Sequence, residues 1–166
     1  MSLTLAAVSA VVAAVLQLTI VPYVGISGAY PDLILVVAVV ATFTWSVEAG
    51  ITIAFVGGLM IDLLTPRPVG LTAFTLLVST GLAALIARLI PRARILVPIV
   101  AVFVLSFVTD LLFLVMYSAL RGRLGVDDPG ALILPGAIYS AAIAAVVTPI
   151  SVALHNRFAE RERVAW

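Results

Sequence analysis

From Met1 to Pro31 the chain carries no charged side chain, and neither do Pro68 to Ala87 or Pro129 to Leu154. A hydrocarbon layer ~30 Å thick is crossed by a helix of ~20 apolar residues, so runs of this length read as membrane spans. A chain of 166 residues that is 64% hydrophobic and only 10% charged cannot cover itself with polar surface in water. The sequence is that of an integral membrane protein.

Composition removes several functions. Cysteine is absent, which excludes disulfides, thiolate nucleophiles and cysteine metal sites. The single histidine, His155, stands beside Asn156 and Arg157 where the last apolar run ends, a position that suits a helix end or a membrane interface. A net charge of +1 offers no basic field for nucleic acid. The first apolar run has no basic region before it and is too long for a cleavable signal. Neither cofactor nor metal is expected.

Punctuation by proline, glycine and polar residues divides the chain into about six spans. The first covers about 3–21 and ends at the turn-rich stretch containing Pro22, Gly25, Gly28 and Pro31. The region 32–64 as one helix would be ~50 Å long, far beyond the hydrocarbon thickness. A break near Trp45, Ser46, Glu48 and Gly50 divides it into 31–47 and 49–65, two spans so short that the bilayer must thin or neighbouring helices must bury them. Pro66 and Pro68 end the pair. Spans at 69–89, 95–119 and 130–154 follow. The expected fold is an all-α polytopic membrane protein, a compact bundle of about six transmembrane helices. It forms one domain over 1–155, with a short cytoplasmic tail at 156–166.

Arginine bias orients the bundle. Arg88, Arg92, Arg94, Arg157, Arg161 and Arg163 fall on one side, and Arg67, Arg121 and Arg123 on the other. The positive-inside rule makes the first side cytoplasmic, and with six spans both termini lie there; were 32–64 a single tilted helix, only the N-terminus and the first loop would change sides. In the tail, Glu160 and Glu162 alternate with Arg161 and Arg163, as in a solvated helix extension or a loose end.

Two kinds of residue are candidates for function. Small residues recur at four-residue spacing in three stripes: Ala6, Ala10 and Ala14; Gly50, Ala54 and Gly58; and Gly136, Ser140, Ala144 and Thr148. In lipid such stripes let helix backbones approach closely, either inside the bundle or against a partner's transmembrane helix. The span-one and span-three stripes are the expected partner faces. The second kind is polar. Asp32 and Glu48 suit N-terminal caps of spans two and three. Asp62 lies within reach of Arg67 or of a partner, and Asp110 is the most deeply placed acid. Carboxylates at such positions face the bundle, pair, or serve a function.

Three functions compete for these residues. An intramembrane aspartyl protease would use Asp62 and Asp110, and Gly57-Gly58-Leu59-Met60-Ile61-Asp62 faintly resembles the catalytic segment of the lipoprotein signal peptidase. The asparagines of that family are missing, and the two acids differ in depth by ~9 Å, whereas a shared proton needs near contact. A small-molecule-binding transporter subunit would line a pocket with the acids and Gln17. The third function is a non-catalytic assembly subunit.

For the third, Leu16-Gln17-Leu18-Thr19, Gly28-Ala29-Tyr30-Pro31-Asp32-Leu33, Gly57-Gly58-Leu59-Met60-Ile61-Asp62-Leu63-Leu64 and Val69-Gly70-Leu71-Thr72-Ala73 occur in that order. Their order and spacing, with the length and span pattern, resemble the bacterial rod shape-determining MreD family. The resemblance covers most of the chain and is strongest from Gln17 to Leu85. It implies a multi-pass protein of the bacterial cell (inner) membrane, a scaffold of the elongation machinery. That scaffold would bind MreC and help couple cytoskeletal MreB to peptidoglycan synthesis by a class B penicillin-binding protein and RodA. The family is also similar in fold to the substrate-binding subunits of energy-coupling-factor transporters, which sustains the small-molecule alternative.

Overall fold

The computed structural model of the protein describes residues 3–24, 30–66, 68–89, 96–121 and 129–164, with side chains of the last segment described over 133–157. Backbone N–H and C=O groups in lipid need partners within the chain, and helices supply them locally. The elements are α1 (Leu3–Thr19), the single turn α2 (Val21–Val24), α3 (Leu33–Thr44), α4 (Val47–Leu64), α5 (Leu71–Leu89), α6 (Leu96–Arg121) and α7 (Pro129–Val164). No strand occurs among the described residues.

The break expected within 32–64 falls at Trp45 and Ser46. The Trp45 N–H still donates to the Ala41 carbonyl, closing α3. Ser46 is extended (φ −165°, ψ 158°), and its side chain accepts the Ala49 N–H, which starts α4 afresh. Ser46 is therefore the N-cap of α4 where Glu48 was expected; Glu48 lies in the first turn, exposed. A short polar side chain preceding the helix can reach back to an orphan N–H, whereas Glu48 is already helical.

The two helices fold back as a close hairpin that glycine permits. A Cβ on Gly50 would collide with the Thr42 side chain and sit 2.8 Å from the Ala38 carbonyl oxygen. One on Gly57 would come within 2.7 Å of Ile34 Cγ2.

The Asp32 cap and the Trp45 stop shorten the second helix from the expected 31–47 to 12 residues, or about 18 Å. Burial by neighbours is what accommodates it. Ile34, Leu35, Val36, Ala38 and Val39 have no exposed surface, and α3 packs against α1, α4, α5, α6 and α7. Those five form a ring in which α1 touches α4, α4 touches α5, α5 touches α6 and α6 touches α7. The ring is open between α7 and α1, which do not meet among the described residues.

All five ring elements are long and apolar enough to cross a membrane, with α3 the shorter apolar helix among them. The protein is a multi-pass membrane protein. The last helix exceeds the expected 130–154: α7 runs 36 residues and continues through Val164. Leu5, Trp45 and Leu154 line one groove. The start of α1, the α3–α4 turn and the end of α7's apolar part therefore share one end of the bundle. The opposite end holds the starts of α3 and α5.

Candidate functional site

At that opposite end, two helices begin in the protein interior. A helix start leaves N–H groups without intrahelical partners, and in a membrane no water satisfies them. Side chains from other parts of the chain do so.

Around α3, the Asp32 carboxylate accepts the Leu35 N–H at 3.0 Å. Gln17 reaches across from α1, its Oε1 accepting the Ile34 N–H at 3.0 Å. The N–H of Asp32 itself donates to Ser140 Oγ of α7 at 3.0 Å. Three segments far apart in sequence thus converge on one helix start, and the expected capping by Asp32 is present.

Around α5, a single carboxylate does more. Asp62, 1% exposed, lies near the end of α4. Its Oδ2 accepts the N–H groups of Gly70 at 2.9 Å, Thr72 at 3.0 Å and Ala73 at 3.2 Å, and its Oδ1 accepts Thr72 at 3.1 Å. Gly70 adopts φ +93°, open to glycine at little cost, and this turns the loop so that its N–H faces the acid. A buried charge is tolerated when hydrogen bonds surround it and a helix N-terminus faces it. Arg67, the expected partner of Asp62, lies outside the described residues; backbone N–H groups hold the carboxylate.

Gly58 stands one turn before Asp62 and packs directly on α5. A Cβ there would lie 2.5 Å from Ala73 Cα and 2.8 Å from its nitrogen. Missing side chain and buried acid thus act together: the first lets α4 approach α5, and the second binds the N–H groups that the approach buries.

The small-residue stripes are turned inward. Ala6, Ala10, Ala14, Ala54, Ser140, Ala144 and Thr148 have no exposed surface, and Gly50, Gly58 and Gly136 are also buried. Within the single chain these faces are covered by its own helices. Ala137 is buried with them, Ala141 is half-buried, and Ala145 is exposed.

Asp110 stands apart from Asp62. Its neighbour Thr109 bonds Ser79 of α5 at 2.7 Å. Ser79 lies seven residues beyond Thr72, roughly 10 Å along the helix. Asp110 is half-buried on α6. At the other end of the bundle, His155 lies within α7, edge-on to Trp45 with ring centroids 5.1 Å apart.

The segments that carry the family resemblance are those that meet here: Gln17 on Ile34, Gly57 on Ile34, Gly58 on Ala73, and Asp62 on Gly70, Thr72 and Ala73. The family model for the rod shape-determining protein MreD matches residues 2–158. The chain belongs to the MreD family. No curated protein and no solved structure matches it. The resemblance read from Gln17, Asp32 and the glycine-rich segment ending at Asp62 therefore extends to nearly the whole of this MreD-family chain. Its described acids Asp32 and Asp62 act on backbone N–H groups. The cap-forming interactions of Asp32, Gln17 and Asp62 were legible only in part. An acid after Pro31 announces a cap, whereas nothing in the local sequence around Asp62 or Gln17 says which distant N–H each will accept.

Proposed function

We propose that this rod shape-determining membrane protein is a non-catalytic scaffold of the cell-elongation machinery. It binds MreC and helps couple MreB to peptidoglycan synthesis by a class B penicillin-binding protein and RodA. The supporting observation is where its polar chemistry goes. Gln17, Asp32 and Asp62 each accept N–H groups of the chain's own helix starts, which favours a structural part over a reactive one. The small-molecule alternative drew on the same Gln17 and acids, and these bonds weigh against it.

A scaffold of this kind works through the faces it turns outward. On α1 these include Val8, Val12 and Val15, and on the adjoining α4 Ile51 and Phe55, all exposed. They are the outer surfaces of the helices whose small-residue stripes were expected to dock a partner. In lipid, association of such faces rests on van der Waals packing. The termini face the cytoplasm of a bacterial inner membrane, with the capped helix starts on the outer side.

Co-purification in mild detergent tests the reading. The tagged chain should retain MreC, and a Val12→Ala, Phe55→Ala variant should retain less of it while remaining folded. A wild-type chain that never retains MreC from membranes containing both proteins would sink the proposal.

A further inference from the structure

The ring of long helices is open between α1 and α7, and the opening is a groove of about 260 Å³ floored by α3. Leu5 and Ser9 form one wall, Ile150 and Leu154 the other, Val40 the floor, and Trp45 the end toward the termini. A cavity of ~150 Å³ lined by aliphatic and aromatic side chains holds a six-carbon ring, so this one has room for roughly ten carbons of a hydrocarbon chain.

The same flank of α7 changes character where the apolar wall ends. Val147, Ile150 and Leu154 are followed at helical spacing by Arg157, which is exposed. Spacing of three and four residues keeps these positions on one face. Glu48, an acid at this end, lies about 140° round α4 from the groove residue Ile53. The flank thus presents an apolar slot below and one exposed arginine, Arg157, above.

Trp45 is held in place as the end wall. Its Nε1–H donates to Ser151 Oγ at 3.0 Å, that hydroxyl bonds Thr44 Oγ1 at 2.8 Å, and His155 packs edge-on against its ring. Aromatic rings fixed at this level mark the boundary between acyl chains and head groups.

We propose that the α1–α7 groove is a binding site for one anionic phospholipid of the leaflet nearest the termini. An acyl chain lies between Leu5 and Ile150, and the phosphate-bearing head group lies at Arg157. This inference stands independently of the partners proposed above.

The sequence contains two tryptophans, Trp45 and Trp166, so Trp166→Phe in the full chain leaves Trp45 as the only indole reporter. The purified protein is reconstituted in vesicles of phosphatidylcholine and phosphatidylglycerol with one of the two lipids brominated, and quenching of Trp45 is measured. Brominated phosphatidylglycerol should compete for the site about fivefold better than brominated phosphatidylcholine, the preference expected of one arginine at an anionic surface. Arg157→Gln, a surface change, should remove most of that preference. Ser9→Leu should remove it by filling the groove, with helical circular dichroism retained. Equal quenching by the two lipids would overturn the proposal, as would a preference that survives either substitution. Absence of quenching by both would overturn it too, since a second copy of the chain would then cover the groove.

Discussion

Asp62 shows how one buried side chain can hold two helices together in a solvent without water. Three N–H groups converge on it, and each buried donor left unsatisfied costs on the order of 1–3 kcal/mol. Asp62→Leu should therefore destabilise the protein by about 3 kcal/mol or more, seen as a sharply lowered unfolding midpoint in detergent. Asp62→Asn keeps an acceptor oxygen and should lose less. If the Leu variant unfolds with the wild type, the capping account is wrong.

Gly58 and Gly81 make a matched pair at the same scale. The Cβ of Gly58→Ala would press into the α5 backbone, whereas one at Gly81 meets nothing within 4 Å. Gly58→Ala should cost ~1–3 kcal/mol through overpacking. Gly81→Ala, in the middle of α5, should be neutral or gain up to ~1 kcal/mol of helix stability. Thermal unfolding of the two variants side by side checks the contrast.

At the scale of elements, the α3–α4 hairpin rests on the local stop at Trp45 and Ser46 and on the glycines that face α3. Ser46→Ala removes the acceptor for the Ala49 N–H and should cost about 1 kcal/mol. Glu48→Gln, at an exposed position in the same turn, should leave the unfolding midpoint near that of the wild type. Equal losses in the two variants would mean that Ser46 is not the cap. The hairpin also shows what a sequence periodicity can miss. Both halves of 32–64 are apolar enough to suggest spans, yet α3 has only 12 residues and packs against five helices, open only where the α1–α7 groove reaches it. Its continuous run of Ile, Leu and Val fits burial against helices on most sides rather than an amphipathic pattern.

For the whole molecule, the arrangement is a five-helix ring around α3, with both the start of α1 and the apolar end of α7 at one end. Tags placed at the two termini should therefore be accessible from the same side of the membrane, the side we propose to be cytoplasmic from the arginine bias. Protease protection of the tags in oriented vesicles checks this; accessibility from opposite sides would refute the topology.

Much of this was legible in the chain itself. Charge-free runs of span length compel insertion in lipid, Pro66 and Pro68 standing so close together end a helix, and Ser46 beside Trp45 breaks a run too long for one crossing. These are local consequences of backbone chemistry and solvent, and they need no knowledge of neighbours. What Asp62 binds, which helix Gln17 caps, whether the alanine stripes meet kin or strangers, and which helix sits at the centre were decided by tertiary structure. Each depends on which helix comes to lie beside which. In lipid, where apolar surfaces are nearly interchangeable, that choice follows from close backbone approach and from the need to satisfy buried N–H groups across the bundle.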